Sequence, residues 1–294
     1  MADYEILIYT NSRGETLVFS PLSTLHTNVA NDVTGLGDIS NTIFTSSSMA
    51  QDGETYIGQK FDIRPITIKG TINSTNKDTV LEIRRKMQKI LNPKLSATLT
   101  YVYKTYTRVI DVKAEDTPVF ARKAVFTTFT IKLTCCSPFW RKDAENKDDI
   151  AAWVAEFEFP LEIDATDGVE FGYREPSLIV DVYNEGDVET DMRIEFRATG
   201  TLTNPLLLNV NTGEYVQINA TMQAGDKITV TTKYGEKGAV LLRGTTETNY
   251  FRYVDVDSTF MQLAIGDNVF RYNAASGLDA LEVTIYHSDK YLGV

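Results

Sequence analysis

The sequence predicts a mainly β protein, an N-terminal β-sandwich with one α-helix followed by a C-terminal jelly-roll β-sandwich. Three observations lead there. Short runs of alternating apolar and polar residues, parted by Gly, Asn and Asp turns, recur along the 294-residue chain. Only one stretch, 79–91, repeats its apolar residues at helical spacing. The charge also divides sharply, with 18 Lys+Arg against 13 Asp+Glu up to Lys142 and 11 against 27 beyond it. Such asymmetry points to two domains in different surroundings, here 1–142 and 150–294 joined by a charged connector, 143–149.

The first domain opens with Tyr4 to Thr10 and Glu15 to Ser20, β-rich runs joined by Asn11-Ser12-Arg13-Gly14, where Gly suits the turn. Residues 21–58 are Ser-, Thr-, Asn- and Gly-rich without periodicity, and a stretch of that length reads as a functional loop or a flexible arm. Phe61 to Asn73 alternates through Ile66, Ile68 and Ile72, with Pro65 and Gly70 marking an edge or bend. The helix Thr79 to Leu91 is capped by Asp78, stopped by Asn92-Pro93, and carries Val80, Ile83, Met87 and Ile90 on one face. Its other face bears Arg84, Arg85 and Lys89, a solvated surface or a contact between subunits. Strands at Leu95 to Lys104, Thr107 to Glu115 and Ala124 to Cys135 complete the domain.

Nine strands are expected in the second domain: Trp153 to Phe159, Ser177 to Asn184, Asp191 to Ala198, Leu206 to Val210, Tyr215 to Asn219, Lys227 to Thr232, Ala239 to Leu242, Asn268 to Tyr272 and Ala280 to Tyr286. Turns such as Asn184-Glu185-Gly186 and Asn211-Thr212-Gly213 separate them.

Chemistry has few seats in this sequence. Histidine, the side chain most easily tuned near neutral pH, occurs twice, at His26 and His287. Cys135 and Cys136 are adjacent on a strand and point to opposite faces, which suits a packed thiol better than a nucleophile or a disulfide. Gly35-Leu36-Gly37 lacks the third glycine and following helix of a dinucleotide site. Asp255 and Asp257 could offer oxygens to calcium, and Glu156, Glu158, Glu162 and Asp164 could pair for sugar hydrolysis, yet both sets fit solvated strand faces. Tyrosines in the second half, with Trp153, raise the alternative of a carbohydrate-binding β-sandwich module. A net charge of -11 argues against nucleic-acid binding. No apolar run is long enough for a membrane helix, and Met1 to Glu5 does not read as a secretion signal, so folding in a cytoplasm is expected. The expectation is a protein without catalytic residues, cofactor or metal.

The order of the pieces resembles the distal tail protein family of long non-contractile-tailed bacteriophages. The resemblance rests on Asn11-Ser12-Arg13-Gly14-Glu15, the arm with Gly35-Leu36-Gly37, Arg64-Pro65-Ile66-Thr67-Ile68-Lys69-Gly70, the helix end Ile90-Leu91-Asn92-Pro93, and Cys136-Ser137-Pro138-Phe139-Trp140. The second half is similar to the family's galectin-like sandwich in length, strand spacing and its Tyr291-Leu292-Gly293-Val294 finish. The resemblance implies a homo-hexameric ring of N-terminal domains in the virion tail, assembled in the host cytoplasm. The ring would sit between the tail-tube protein and the tail-tip or tail-associated lysin protein and pass DNA through its lumen unread. The C-terminal domains would face outward, where a receptor-binding protein could dock. Arg84, Arg85, Lys89, Gly35, Leu36 and Gly37 are the expected interface residues. The galectin sugar set of His, Asn, Arg and Trp is not found in the second half.

Overall fold

The computed structural model describes residues 4–122, 126–150, 153–154, 173–174 and 179–294. The chain forms two compact units, residues 1–143 with 290–294, and residues 144–289.

In the first unit the opening hairpin pairs Ile6–Asn11 with Thr16–Ser20. Gly14 at φ 76° supplies the left-handed turn residue. Asn11 does more than turn the chain. Its Oδ1 accepts from the amides of Arg13 and Glu15, both at 3.0 Å, while its Nδ2 donates to the Ile90 carbonyl at 3.2 Å, which ties the hairpin to the end of the long helix. Alternation then does what the sequence promised, with Leu7, Tyr9, Leu17 and Phe19 buried and their neighbours more exposed.

From that hairpin the sheet runs outward in two directions. On one side lie Leu25–His26, Arg64–Ile72, Thr127–Cys135 and the edge strand Val119–Arg122; on the other lie Ala97–Tyr103, Tyr106–Ala114, Trp140–Arg141 and Lys290–Tyr291. Thr127–Cys135 also pairs with Tyr106–Ala114 through Leu133 opposite Ala114 and Thr134 opposite Lys113. This contact curls the sheet of the expected β-sandwich round on itself, so that, with Val119–Arg122 left as an edge strand outside the closure, it also closes as a barrel. Ile66, Ile68, Ile72, Leu99, Ile110, Ile131 and Leu133 fill its core. Burying each is worth about 1.5–3 kcal/mol.

The helix spans Lys77–Ile90, and its cap is Asn76 rather than Asp78, the Asn76 side chain accepting from the Asp78 amide at 2.9 Å. Either residue type can cap, and the helix begins two residues earlier than expected because Asn76 keeps extended backbone. Met87 and Ile90 are buried against the core, with Val80 and Ile83 packed beside them.

The expected aperiodic stretch 21–58 is ordered into several pieces. Leu25–His26, the short helix Val29–Asp32 and Val33–Thr34 belong to the barrel. Asn41–Ser46 and Thr55–Phe61 then form a separate antiparallel hairpin.

The second unit is a sandwich. One sheet orders Asn146–Ile150, Leu281–His287, Met192–Ala198, Lys227–Thr231, Gly238–Arg243 and Thr246–Asn249; the other orders Ile179–Asn184, Gly266–Asn273, Leu206–Asn209 and Tyr215–Gln217. Ile194, Phe196, Ile228 and Ile285 of the first meet Val182, Leu207, Val216 and Phe270 of the second in one core. The expected connector 143–149 is corrected here. Its residues 146–150 are an edge strand paired with Leu281–His287, with alternation hidden by charges that face water. The second domain also ends earlier than 294, because Lys290–Tyr291 returns to pair with Trp140–Arg141 in the first unit.

Candidate functional site

The hairpin 41–61 has almost no buried residue. Ile43 is 58% exposed, Phe44 45%, Tyr56 59% and Ile57 65%. A two-stranded ribbon is marginal in water on its own, and several large apolar side chains left exposed on one are a mark of contact with another molecule. Its register slips between Phe44 and Thr45, since Phe44 pairs with Gly58 and Thr45 with Tyr56, leaving Ile57 as the extra residue of a bulge. A bulge strengthens the ribbon's twist.

The root of this ribbon is rigid. At its base the Asp62 amide donates to the Ser40 carbonyl at 2.9 Å, the Thr42 hydroxyl donates to the Asp62 carboxylate at 2.6 Å, and the Phe61 ring meets Phe139 edge-on at 5.5 Å. Two residues further on, Arg64 is fully buried. Its Nε donates to the Pro138 carbonyl at 2.7 Å and its Nη1 to the carbonyls of Gly35 and Leu36 at 2.9 and 3.0 Å, while Nη2 donates to the Leu292 carbonyl. Burial pulls the guanidinium pKa below its ordinary value. A planar fork of donors is what allows one side chain to hold three separate chain segments together. Trp140 adds a second tie, its Nε1 donating to the Leu36 carbonyl at 3.0 Å. Gly35 sits at φ 89° with the position of a Cβ only 2.1 Å from the Pro65 carbonyl oxygen, so no other residue fits there.

The expected interface residues are therefore of two kinds. Gly35 and Leu36 give their carbonyls to Arg64, the Arg84 guanidinium lies over the Phe120 ring at 4.8 Å, and Lys89 pairs with Glu15 at 2.5 Å. Arg85 and Gly37 are exposed. The 21–58 arm, which with the open strand edges is expected to pack against neighbouring subunits, contains most of this hairpin; its strand pairing is not foreseen, although Ile43-Phe44 and Tyr56-Ile57 within a polar stretch are its signal.

The candidate chemical residues lie apart. His26 is exposed, with Nδ1 2.7 Å from the Pro21 carbonyl. His287 is buried in the second unit, its Nε2 3.2 Å from Asp148 and its Nδ1 3.4 Å from Asp289. Cys135 is buried, which pushes its thiol up to about 12, whereas Cys136 is exposed. One thiol per folded chain, Cys136, should therefore react with a maleimide near pH 8, and loss of that single label in Cys136→Ser checks the assignment. The Asp255 carboxylate accepts from Asn219 at 2.7 Å and from the Tyr215 hydroxyl at 3.0 Å, which holds its pKa below the usual carboxylate range. Among the described residues no cluster of His, Cys, Asp or Glu is arranged to hold a metal. Glu156, Glu158, Glu162 and Asp164 lie outside the described residues, as does the side chain of Trp153.

Two family models match the chain. Residues 22–135 match the phage tail protein RIFT-related domain, and residues 185–291 match the C-terminal domain of the siphovirus-type tail component. Among solved structures, the chain is similar to the Dit protein of phage SPP1, described as a paradigm of the hub adsorption apparatus in phages infecting Gram-positive hosts. The TM-score is 0.68 at 13% identity, over 97% of this chain and 98% of that one. It is also similar to a chain of the phage P2 baseplate in its activated conformation with calcium, with a TM-score of 0.54 at 14% identity over 99% of both chains. The corresponding baseplate with strontium gives 0.52 at 13% identity, again over 99% of both. No curated protein matches in sequence.

Proposed function

The chain belongs to the siphovirus distal tail family as a structural baseplate-hub protein of the phage tail, and from that premise we propose that it works as a homo-hexameric ring closed by the hairpin 41–61. The observation that carries this reading is a ribbon with exposed apolar residues on a rigid root, left uncovered by the described residues of its own unit. A ribbon on one side of a subunit that docks on a different surface of the next makes a head-to-tail contact, and such contacts close into rings when the rotation allows. The open edge strand Val119–Arg122 and the helix face with Arg84, Arg85 and Lys89 are the proposed receiving surfaces, together with the loop Gly35-Leu36-Gly37.

In this arrangement the first unit forms the ring, stacked between the tail-tube protein and the tail-tip or tail-associated lysin protein, and DNA passes through the lumen without its bases being read. The galectin-like second unit faces outward, where a receptor-binding protein docks. Its excess of acid keeps those outer surfaces soluble and apart. Assembly takes place in the host cytoplasm, and no catalytic step is involved.

Gold-labelled Fab fragments raised against this chain, applied to purified virions, test the placement. The label is expected only at the tail end away from the head, with six copies per virion by quantitative peptide mass spectrometry. Label along the whole shaft, or its absence from virions, would overturn the reading.

A further inference from the structure

The second unit is strongly acidic, with ten Lys+Arg against 26 Asp+Glu in residues 144–289. Its charge is unevenly spread. The stretch 227–252 holds five of those ten cations, Lys227, Lys233, Lys237, Arg243 and Arg252, and only two of the acids, Glu236 and Glu247. These residues build one end of the six-stranded sheet and the 3-10 turn Phe251–Tyr253 beside it.

Aromatic rings gather at the same place. Phe251, 48% exposed, stacks on Phe260 with centroids 5.9 Å apart and planes within 13°. Tyr234 is 69% exposed, and Tyr250 and Tyr253 pack at 4.1 Å. Two cations lie over these faces: Lys237 Nζ stands 4.8 Å from the Tyr234 ring and 5.5 Å from that of Phe260, and the Arg252 guanidinium stands 4.6 Å from the Tyr253 ring. Among the described residues neither has a carboxylate partner, whereas Arg193, Arg197, Lys227, Lys233 and Arg243 of the same unit each hold one.

We propose that this cationic aromatic end of the second unit binds an acidic glycan, its rings taking the apolar faces of pyranoses and Lys237 with Arg252 taking carboxylate or phosphate substituents. Flat exposed rings match the C–H face of a sugar, and cations free of carboxylates need no ion pair broken before they meet an anion. An acidic polypeptide laid along the open edge strand Thr246–Asn249 fits less well, because Glu247 stands in the middle of that edge and the exposed rings lie off it. The site is independent of ring closure by the first unit.

The test is calorimetry on the full chain with three probes: a hyaluronan hexasaccharide carrying carboxylates, a phosphorylated mannopentaose, and neutral chitohexaose. The proposal expects an acidic probe to bind at least about tenfold more tightly than the neutral one and to weaken in about 0.5 M NaCl. Which of the two acidic probes binds tells carboxylate from phosphate. Tyr234→Ala with Phe251→Ala is expected to weaken binding about tenfold or more, and Lys237→Gln with Arg252→Gln to remove the preference for acid, both with unchanged melting temperature. The Arg271→Gln variant, at a cation outside the cluster, should bind as the parent does. No binding of either acidic probe up to about 5 mM, equal binding of the neutral probe, or binding that survives loss of both rings would overturn the proposal. Protection of Tyr234 and Phe251 only inside assembled tails, without glycan binding, would assign the patch to a protein partner instead.

Discussion

Arg64→Met is expected to lower the stability of the first unit by about 3–5 kcal/mol. Methionine fills much of the space but donates nothing, so the buried carbonyls of Pro138 and Gly35 and the partly buried ones of Leu36 and Leu292 are left facing an apolar chain. Each stranded acceptor costs about 1–3 kcal/mol before relaxation, and some will find water. Arg64→Lys should recover only part of the loss, because one ammonium cannot reach three segments in one plane. Urea titration followed by the fluorescence of buried Trp140, in a Trp153→Phe background, reports this unit selectively. A loss below about 1 kcal/mol would show that the clamp is not what holds these segments. Truncation after Asp289 should weaken the same transition, since it removes the Leu292 carbonyl and Tyr291, whose ring lies 3.9 Å from the Arg108 guanidinium. A fragment ending at residue 142 carries the same defect, so assembly is best studied on the full chain.

Much of this fold could be read from the residues because each strand of the barrel and sandwich has one wet face and one dry face. Leu7 and Tyr9, Ile66 and Ile68, Ile194 and Phe196 alternate with polar neighbours for that reason. The readings fail where that contrast is missing. The hairpin 41–61 buries neither face, so its residues follow no period. Asn146–Ile150 is an edge strand whose charges face water on one side and His287 on the other, and it reads as a linker. Arg64 looks like a surface residue before Pro65, yet its partners are backbone carbonyls from positions as distant as 36 and 292, which no local pattern encodes. Barrel closure depends on a two-residue pairing between bent strands, and the return of Lys290–Tyr291 depends on a pairing across about half the chain. The strands within the 21–58 arm were hidden for a related reason: Ile43, Phe44, Tyr56 and Ile57 stand exposed where a single chain would place polar residues.

That surface carries the second large expectation. Changing Ile43, Phe44, Tyr56 and Ile57 together to threonine should leave the fold intact, since all four are exposed and threonine suits a strand. It should remove about 4–6 kcal/mol from each contact between subunits, or about three to four orders of magnitude in affinity. Six contacts in a ring fail together, so the hexamer should be lost at concentrations where the parent is fully assembled.

Light scattering of the full chain and of this fourfold variant across a concentration series measures the claim most directly. The account predicts a sixfold mass for the parent and a single-chain mass for the variant, with equal melting temperatures. A parent that stays a single chain at the highest concentration, or a variant that keeps the sixfold mass, would contradict closure of the ring by the hairpin.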